Sequence, residues 1–270
     1  MDSRKCAVSG SFYPSNAEEL KSAVSKFFAG VKLQKRTKTS VIVAPHAGYG
    51  YSGQTAAYAY SLLNSAETFV ILCPNHTGLG DAISISSNAQ WETPLGNLGV
   101  DGNFSDELAE KLHIERGELA HMQEHAIEVQ LPFLIHKFGK KIRIVPICLA
   151  MDDFDSLINI GKAISEIQVK TMCKICVIAS SDFSHFVPLE SAKEKDSEAI
   201  GKIEKLDARG FYNLVHGKRF SICGYGAIIA AIAYAQEKGT SKAELLHYST
   251  SADATRDRSS VVGYAAIAFY

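Results

Sequence analysis

One junction constrains this chain more than any other feature: a short apolar run that stops at a histidine-bearing turn, and it occurs three times. Val41-Ile42-Val43-Ala44 runs into Pro45-His46-Ala47-Gly48-Tyr49-Gly50, residues 69–73 run into Pro74-Asn75-His76, and residues 175–179 run into Ser180-Ser181-Asp182-Phe183-Ser184-His185. Apolar runs without polar alternation suit strands covered on both faces. An Ala- and Tyr-rich stretch at 55–63, helical in character, follows the first junction and completes the start of a βαβ unit. Open α/β sheets hold their chemistry outside the carboxyl ends of the strands. The three histidines stand there.

The wider pattern predicts an α/β fold, a single domain over 1–270 with a largely parallel or mixed central sheet flanked by helices. Helices are expected at 17–28, 55–63, 106–112, 154–167, 191–205, 208–216 and 222–236, and strands at 40–44, 69–73, 82–86, 141–149, 173–179 and 260–269. A further helix is expected within 121–138, ended or kinked near Leu131 by Pro132. No linker, low-complexity tract or repeat divides the 270 residues, and 46% hydrophobic content is ample for one core. A formal net charge of -1 gives no electrostatic case for nucleic acid or an acidic membrane surface. The stretch Met1-Asp2-Ser3-Arg4-Lys5-Cys6 lacks the apolar core of a signal peptide. The longest apolar stretch, 227–235, is far short of the roughly 20 residues that span a bilayer. A cytoplasmic protein without membrane association is therefore expected. Six cysteines, mostly inside apolar strands, read as buried thiols. Cys173 and Cys176 have CxxC spacing, but on a strand they face opposite sides.

Two motifs compete with the strand-end histidines. Gly48-Tyr49-Gly50-Tyr51-Ser52-Gly53 matches GxGxxG, but a dinucleotide fold also needs an acid about 20 residues on, at the end of the second strand. Cys73-Pro74-Asn75-His76 stands there without a carboxylate, so the glycines are expected to permit a tight turn. His121-Met122-Gln123-Glu124-His125 matches HxxEH, in which two histidines one helical turn apart hold zinc and the glutamate is the base. It identifies no downstream carboxylate ligand and leaves His46, His76 and His185 unused. No G-x-S-x-G elbow frames Ser180, Ser181 or Ser184, which argues against a serine hydrolase.

The strand-end set carries more. His46 and His76 close strands consecutive in sequence, and such strands are adjacent more often than not. Two imidazoles on rigid strand ends form the core of a site for Fe, Cu or Zn. Cys223 is the leading third ligand, because a thiol just before a helix N-terminus has its thiolate form stabilised. Glu128 and Asp182 are the carboxylate alternatives. Asp182 and His185 add an acid–base candidate, the carboxylate holding the tautomer of the imidazole and raising its basicity.

Stretches in order along nearly the whole chain carry a family resemblance: Ser11-Phe12-Tyr13-Pro14, Ala44-Pro45-His46-Ala47-Gly48-Tyr49, Pro74-Asn75-His76, Trp91-Glu92-Thr93-Pro94-Leu95-Gly96, Glu124-His125-Ala126-Ile127-Glu128-Val129-Gln130-Leu131-Pro132-Phe133, Ser180-Ser181-Asp182-Phe183-Ser184-His185 and Val262-Gly263-Tyr264-Ala265. With them the chain resembles the MEMO family (mediator of ErbB2-driven cell motility), whose prokaryotic members are called AmmeMemoRadiSam system protein B. The resemblance implies a fold similar to the class III extradiol dioxygenases of the LigB type, which hold non-haem Fe(II) with two histidines and a glutamate. It implies His46 and His76 as the histidine ligands and Cys223 in the place of the glutamate. It also implies His185 as the histidine that handles protons and O₂, with His125 nearby in a supporting place. A thiolate favours Cu(I) or Zn over hard Fe(II) and can itself be oxidised, so metal binding is implied and ring cleavage is not. Eukaryotic relatives are implicated in phosphotyrosine-peptide binding and in copper- or iron-dependent redox chemistry. Prokaryotic relatives tend to be encoded with AMMECR1-like and radical-SAM proteins, which implies a functional link to them.

Three functions follow as expectations. The first is a metal-dependent redox enzyme acting on an unknown substrate. In it His46, His76 and Cys223 bind Fe(II) or Cu, with Zn as the further candidate, and His185, Asp182 and His125 serve catalysis. The second is a non-catalytic binding module that uses the same pocket for a peptide or a small anionic ligand. The third is zinc hydrolysis through HxxEH.

Overall fold

The computed structural model of the protein describes residues 3–33 and 37–270; Met1 and Asp2 of the polar amino terminus lie outside the described residues. The strands are β1 (Ser3–Arg4), β2 (Val41–Ala44), β3 (Thr68–Pro74), β4 (Ile83–Ile85), β5 (Gln90–Trp91), β6 (Leu98–Val100), β7 (Arg143–Leu149), β8 (Ile175–Ser180), β9 (His185–Val187), β10 (Ala243–Thr250) and β11 (Val261–Phe269). The helices are α1 (Ala17–Ala29), α2 (Tyr49–Leu62), α3 (Gly102–Leu112), α4 (Leu131–Phe138), α5 (Phe154–Thr171), α6 (Leu189–Glu204), α7 (Ala208–Lys218), α8 (Tyr225–Glu237) and α9 (Ala252–Thr255). Among the described residues no helix is long and apolar enough to cross a membrane.

The strands form one mixed sheet in the order β1-β5-β6-β7-β3-β8-β2-β11-β10, with β4 paired to β7 and β9 to β11. Its centre, β7-β3-β8-β2, is parallel, and antiparallel β11 and β10 complete one side. The two-residue period of the strands splits the core into two layers. Val41, Val43, Val70 and Leu72 pack with α3, α5, α7 and α8, whereas Ile42, Ala44, Phe69 and Ile71 pack with α1, α2 and α4. Burial on both faces is why these strands are unbroken apolar runs in the sequence. Cys173 and Cys176 fall in opposite layers, as a strand requires.

Four expectations need correction. β8 lies between β2 and β3, so the strands that carry His46 and His76 are not neighbours. Both still end at the same edge of the sheet, and their loops bring the rings together. Gly50 and Gly53 are not turn residues, because α2 begins at Tyr49 with Gly48 as its cap. Gly53 is small because the Phe27 ring of α1 presses on it and a Cβ there would overlap that ring. HxxEH is not helical: residues 121–127 are loop and turn, followed by a 3₁₀ turn at Glu128–Gln130. Pro132 then starts α4 rather than ending a helix, because the N–H it lacks has no intrahelical partner in a first turn. β10 was not expected at all; its residues 244–249 are each only half-buried at the sheet edge, which blurs the alternation that marks a strand.

Candidate metal centre

The parallel strands deliver His46, His76 and Asp182 to one edge, and the start of α8 brings Cys223 to them. Gly224 makes that approach possible, since a Cβ there would overlap the Ser180 carbonyl and the Ser181 side chain at the end of β8. Cys223 Sγ lies 3.2 Å from His46 Nε2. One donor atom from each of His46, His76 and Cys223 falls within 4.8 Å of the others. The three residues named from sequence as ligands therefore meet at one point.

Hydrogen bonds around the rings fix which nitrogen is free. Ser180 Oγ is 2.7 Å from the Ala126 carbonyl, which can only accept, so the hydroxyl proton goes there. The remaining lone pairs of Ser180 accept from Gln130 Nε2 at 2.8 Å and from His46 Nδ1 at 2.9 Å. Gln130 is oriented in turn by Tyr60, whose hydroxyl donates to Oε1 at 2.9 Å. His46 thus carries its proton on Nδ1 and points the Nε2 lone pair at Cys223. His76 is set the same way: Nδ1 donates to Glu124 Oε1 at 2.9 Å, and the other oxygen accepts from the His76 backbone N–H at 2.6 Å. Asn75 braces this loop by accepting from the backbone N–H groups of Thr77 and Gly78.

The surroundings push the two histidines in opposite directions. Burial, then the neighbouring His76 and His125, push His46 well below the ordinary histidine value. Burial works against protonation of His76 too, but the Glu124 carboxylate outweighs it and raises the ring. Glu124 itself is opposed by burial, yet its bonds to His76 and to the Ala126 backbone hold it below the usual carboxylate range. Burial, then the Asp182 charge, raises the Cys223 thiol. This corrects the expectation of a thiolate stabilised by the helix N-terminus: without a cation, Cys223 keeps its proton.

The remaining candidates divide. His125 lies in the cluster, stacked on His76 at 4.7 Å between centroids and 5.5 Å from His46, with Phe12 of the amino-terminal arm at 4.8 Å. Asp182 accepts from the His46 backbone N–H at 2.8 Å, and burial raises its carboxyl to about 6. It does not orient His185. That ring places Nδ1 2.7 Å from the Ser221 carbonyl, which fixes its proton there and leaves Nε2 free. Glu128 points away, into a buried ion pair with Arg4. His121 has other partners: it is fully buried, with Nε2 on the Ser84 carbonyl and Nδ1 on Cys148. Its distance from His125 in role and direction removes the HxxEH zinc site. Sequence reasoning missed Ser180, Gln130 and the grip of Glu124 on His76. Only Glu124 carried a signal, inside a motif that pointed to different chemistry.

A model of the Memo-like protein family matches residues 4–268. The chain is 42% identical to a MEMO1 family protein of Methanosarcina acetivorans, with 99% of each chain covered. It is 43% identical to a MEMO1 family protein of Desulfurococcus amylolyticus over 100% of both chains, and 38% identical to one of Nitrosopumilus maritimus over 98% of this chain and 99% of that one. Family model and relatives alike run the length of the chain, which belongs to the Memo family.

Proposed function

We propose that the protein is a metal-dependent redox enzyme that binds Fe(II) or Cu through His46, His76 and Cys223. The observation that carries this is the fixed direction of the donors: Ser180 and Glu124 occupy both Nδ1 atoms and leave Nε2 of each ring free, and His46 Nε2 lies 3.2 Å from the thiol. A metal-binding histidine typically donates its other N–H to a carboxylate or hydroxyl in this way. Two imidazoles and a thiolate suit copper, zinc or iron. When bound, iron or copper supplies one-electron chemistry. The chain supplies the rest. His185, held through Nδ1 by Ser221, has Nε2 available to take or give a proton. His125 and Phe12 wall the cluster on the side of the amino-terminal arm. Loss of the Cys223 proton accompanies loading, because the buried thiol is protonated beforehand.

The test is the metal content of protein purified anaerobically, for wild type and Cys223→Ser in parallel. Near-stoichiometric Fe or Cu in the wild type, falling in the variant, is the expected result. No metal in either, even after anaerobic reconstitution, overturns the proposal. A second reading, a pocket that binds a peptide or small anionic ligand without turnover, draws support from exposed Leu79, Leu119 and Met122 on two loops that pack at Gly80 and Ala120. A loaded site that consumes neither O₂ nor reductant with any aromatic diol would favour it.

A further inference from the structure

A second group of soft, titratable side chains lies outside the strand-end cluster. Cys73 on β3 and Cys148 on β7 are register partners, and their Sγ atoms are 3.3 Å apart. His121 Nδ1 lies 3.3 Å from Cys148 Sγ, while its Nε2 lies 3.1 Å from the Ser84 carbonyl. A carbonyl only accepts, so Nε2 carries the ring proton and Nδ1 presents its lone pair to the Cys148 thiol. Trp91 packs edge-on against the ring at 5.7 Å and holds it in place. Packing alone asks of a buried cysteine only that it be small and apolar. A Cys–Cys–His chain with a fixed tautomer goes beyond that.

We propose that Cys73 and Cys148 form a redox-active dithiol that a small hydroperoxide, hydrogen peroxide itself, oxidises to a disulfide, with His121 as the base for Cys148. Adjacent strands lie about 4.8 Å apart and disulfides span Cα separations of roughly 4.4–6.8 Å, so register partners are bridged by side-chain rotation alone. His121 Nδ1 takes the Cys148 proton, and the thiolate attacks one peroxide oxygen. An S–O bond forms, the O–O bond breaks, and the departing hydroxide recovers the proton from His121 as water. The Cys73 sulfur then displaces hydroxide from the sulfenic sulfur of Cys148. The S–S bond forms, the S–O bond breaks, and the Cys73 proton leaves in a second water. Two thiols lose two electrons and one peroxide gains them.

The order of attack follows from the surroundings. Burial works against a Cys148 thiolate, but Cys73 and His121 outweigh it and bring the thiol below its ordinary range. Burial raises Cys73 well above that range, which suits the second, resolving position. Cys73 is 0% exposed and Cys148 1%, so a bulky disulfide has no route to either sulfur, whereas hydrogen peroxide is close to water in size.

The experiment treats metal-free, full-length protein with hydrogen peroxide, alkylates it in denaturant and reads it by mass spectrometry. The expected product is a peptide pair joined through Cys73 and Cys148, with an intact mass about 2 Da lower and reversal by a phosphine. Because the protein is metal-free throughout, the result is read separately from failure of the proposed metal centre. In His121→Gln the rate is expected to fall by about tenfold; an unchanged rate overturns the base. Because that variant can perturb its loop, Cys73→Ser is the second: it is expected to stop at a Cys148 sulfenic acid trapped by dimedone, and no adduct overturns attack by Cys148. The dithiol itself is overturned if both cysteines remain alkylatable at a dose that oxidises the partly exposed Cys6 and Cys173.

Discussion

Glu124 and Glu128 are two fully buried carboxylates in one connection, four residues apart, and the protein uses them at opposite ends of its architecture. Glu128 is a knot. It pairs with Arg4, accepts from the backbone N–H groups of Ala7 and Val8 at 2.7 and 3.1 Å, and takes the Tyr13 hydroxyl at 2.5 Å. Every one of these partners belongs to the amino-terminal arm. Glu124 grips His76 through ring and backbone, accepts from the Ala126 backbone N–H, and has His125 Nδ1 3.4 Å from Oε1. Residue type and burial are the same, so neither separates scaffold from site. The partner does: Arg4 never gives up its proton, whereas His76 has a second nitrogen free to bind elsewhere.

The largest expected effect tests the scaffold half of this contrast. Glu128→Gln leaves Arg4 buried without a countercharge, which costs about 3–5 kcal/mol when one partner of a buried pair is removed. Urea unfolding of metal-free protein should show that loss, while metal bound per folded chain stays near the wild-type level. Loss of metal without loss of stability would break the contrast. Glu124→Gln tests the other half. The amide cannot accept from every donor that the carboxylate serves, so His76 loses its anchor and metal affinity should fall by roughly 10–100-fold. Competition with a chelator measures it. The stability change should be smaller than in Glu128→Gln, because the His76 side chain is 33% exposed and water can take over its N–H.

The sequence announced the strands and the histidines at their ends because both depend on local pattern: an apolar run, then a turn residue. It announced Cys223 through its place before an apolar helix. It was silent on pairing, since nothing in 41–44 or 68–74 says that β8 will come between them. It was also silent on direction. HxxEH has helical spacing, yet His121 turns inward to Cys148 and Ser84 while His125 faces the cluster, because the chain there is a loop fixed by side-chain bonds. The glycines at 50 and 53 misled for a related reason: Gly53 answers to the Phe27 ring of another helix, a contact that no window of neighbouring residues contains.

Asp196 sharpens the contrast from the weakest side. It is buried like the two glutamates, but it accepts from neutral donors: the Ser184 backbone N–H and hydroxyl at 3.1 and 2.6 Å and the Tyr248 hydroxyl at 2.7 Å. Burial raises its carboxyl, and bonds from Ser184 and Tyr248 offset that only in part. As pH climbs past 3.8, the ordinary value, the unfolded chain therefore releases this proton before the folded protein does. The folded state binds more protons in that window, so stability present at low pH is lost as pH rises through the folded value, at no more than about 1.4 kcal/mol per pH unit. Asp196→Asn has no such slope. In urea unfolding from about pH 4 upward, the wild type should lose ground to the variant as pH rises. A flat difference would mean that neutral hydroxyls support a buried charge as fully as Arg4 does, and the partner's charge would no longer explain why one carboxylate is a knot and another a hinge for chemistry.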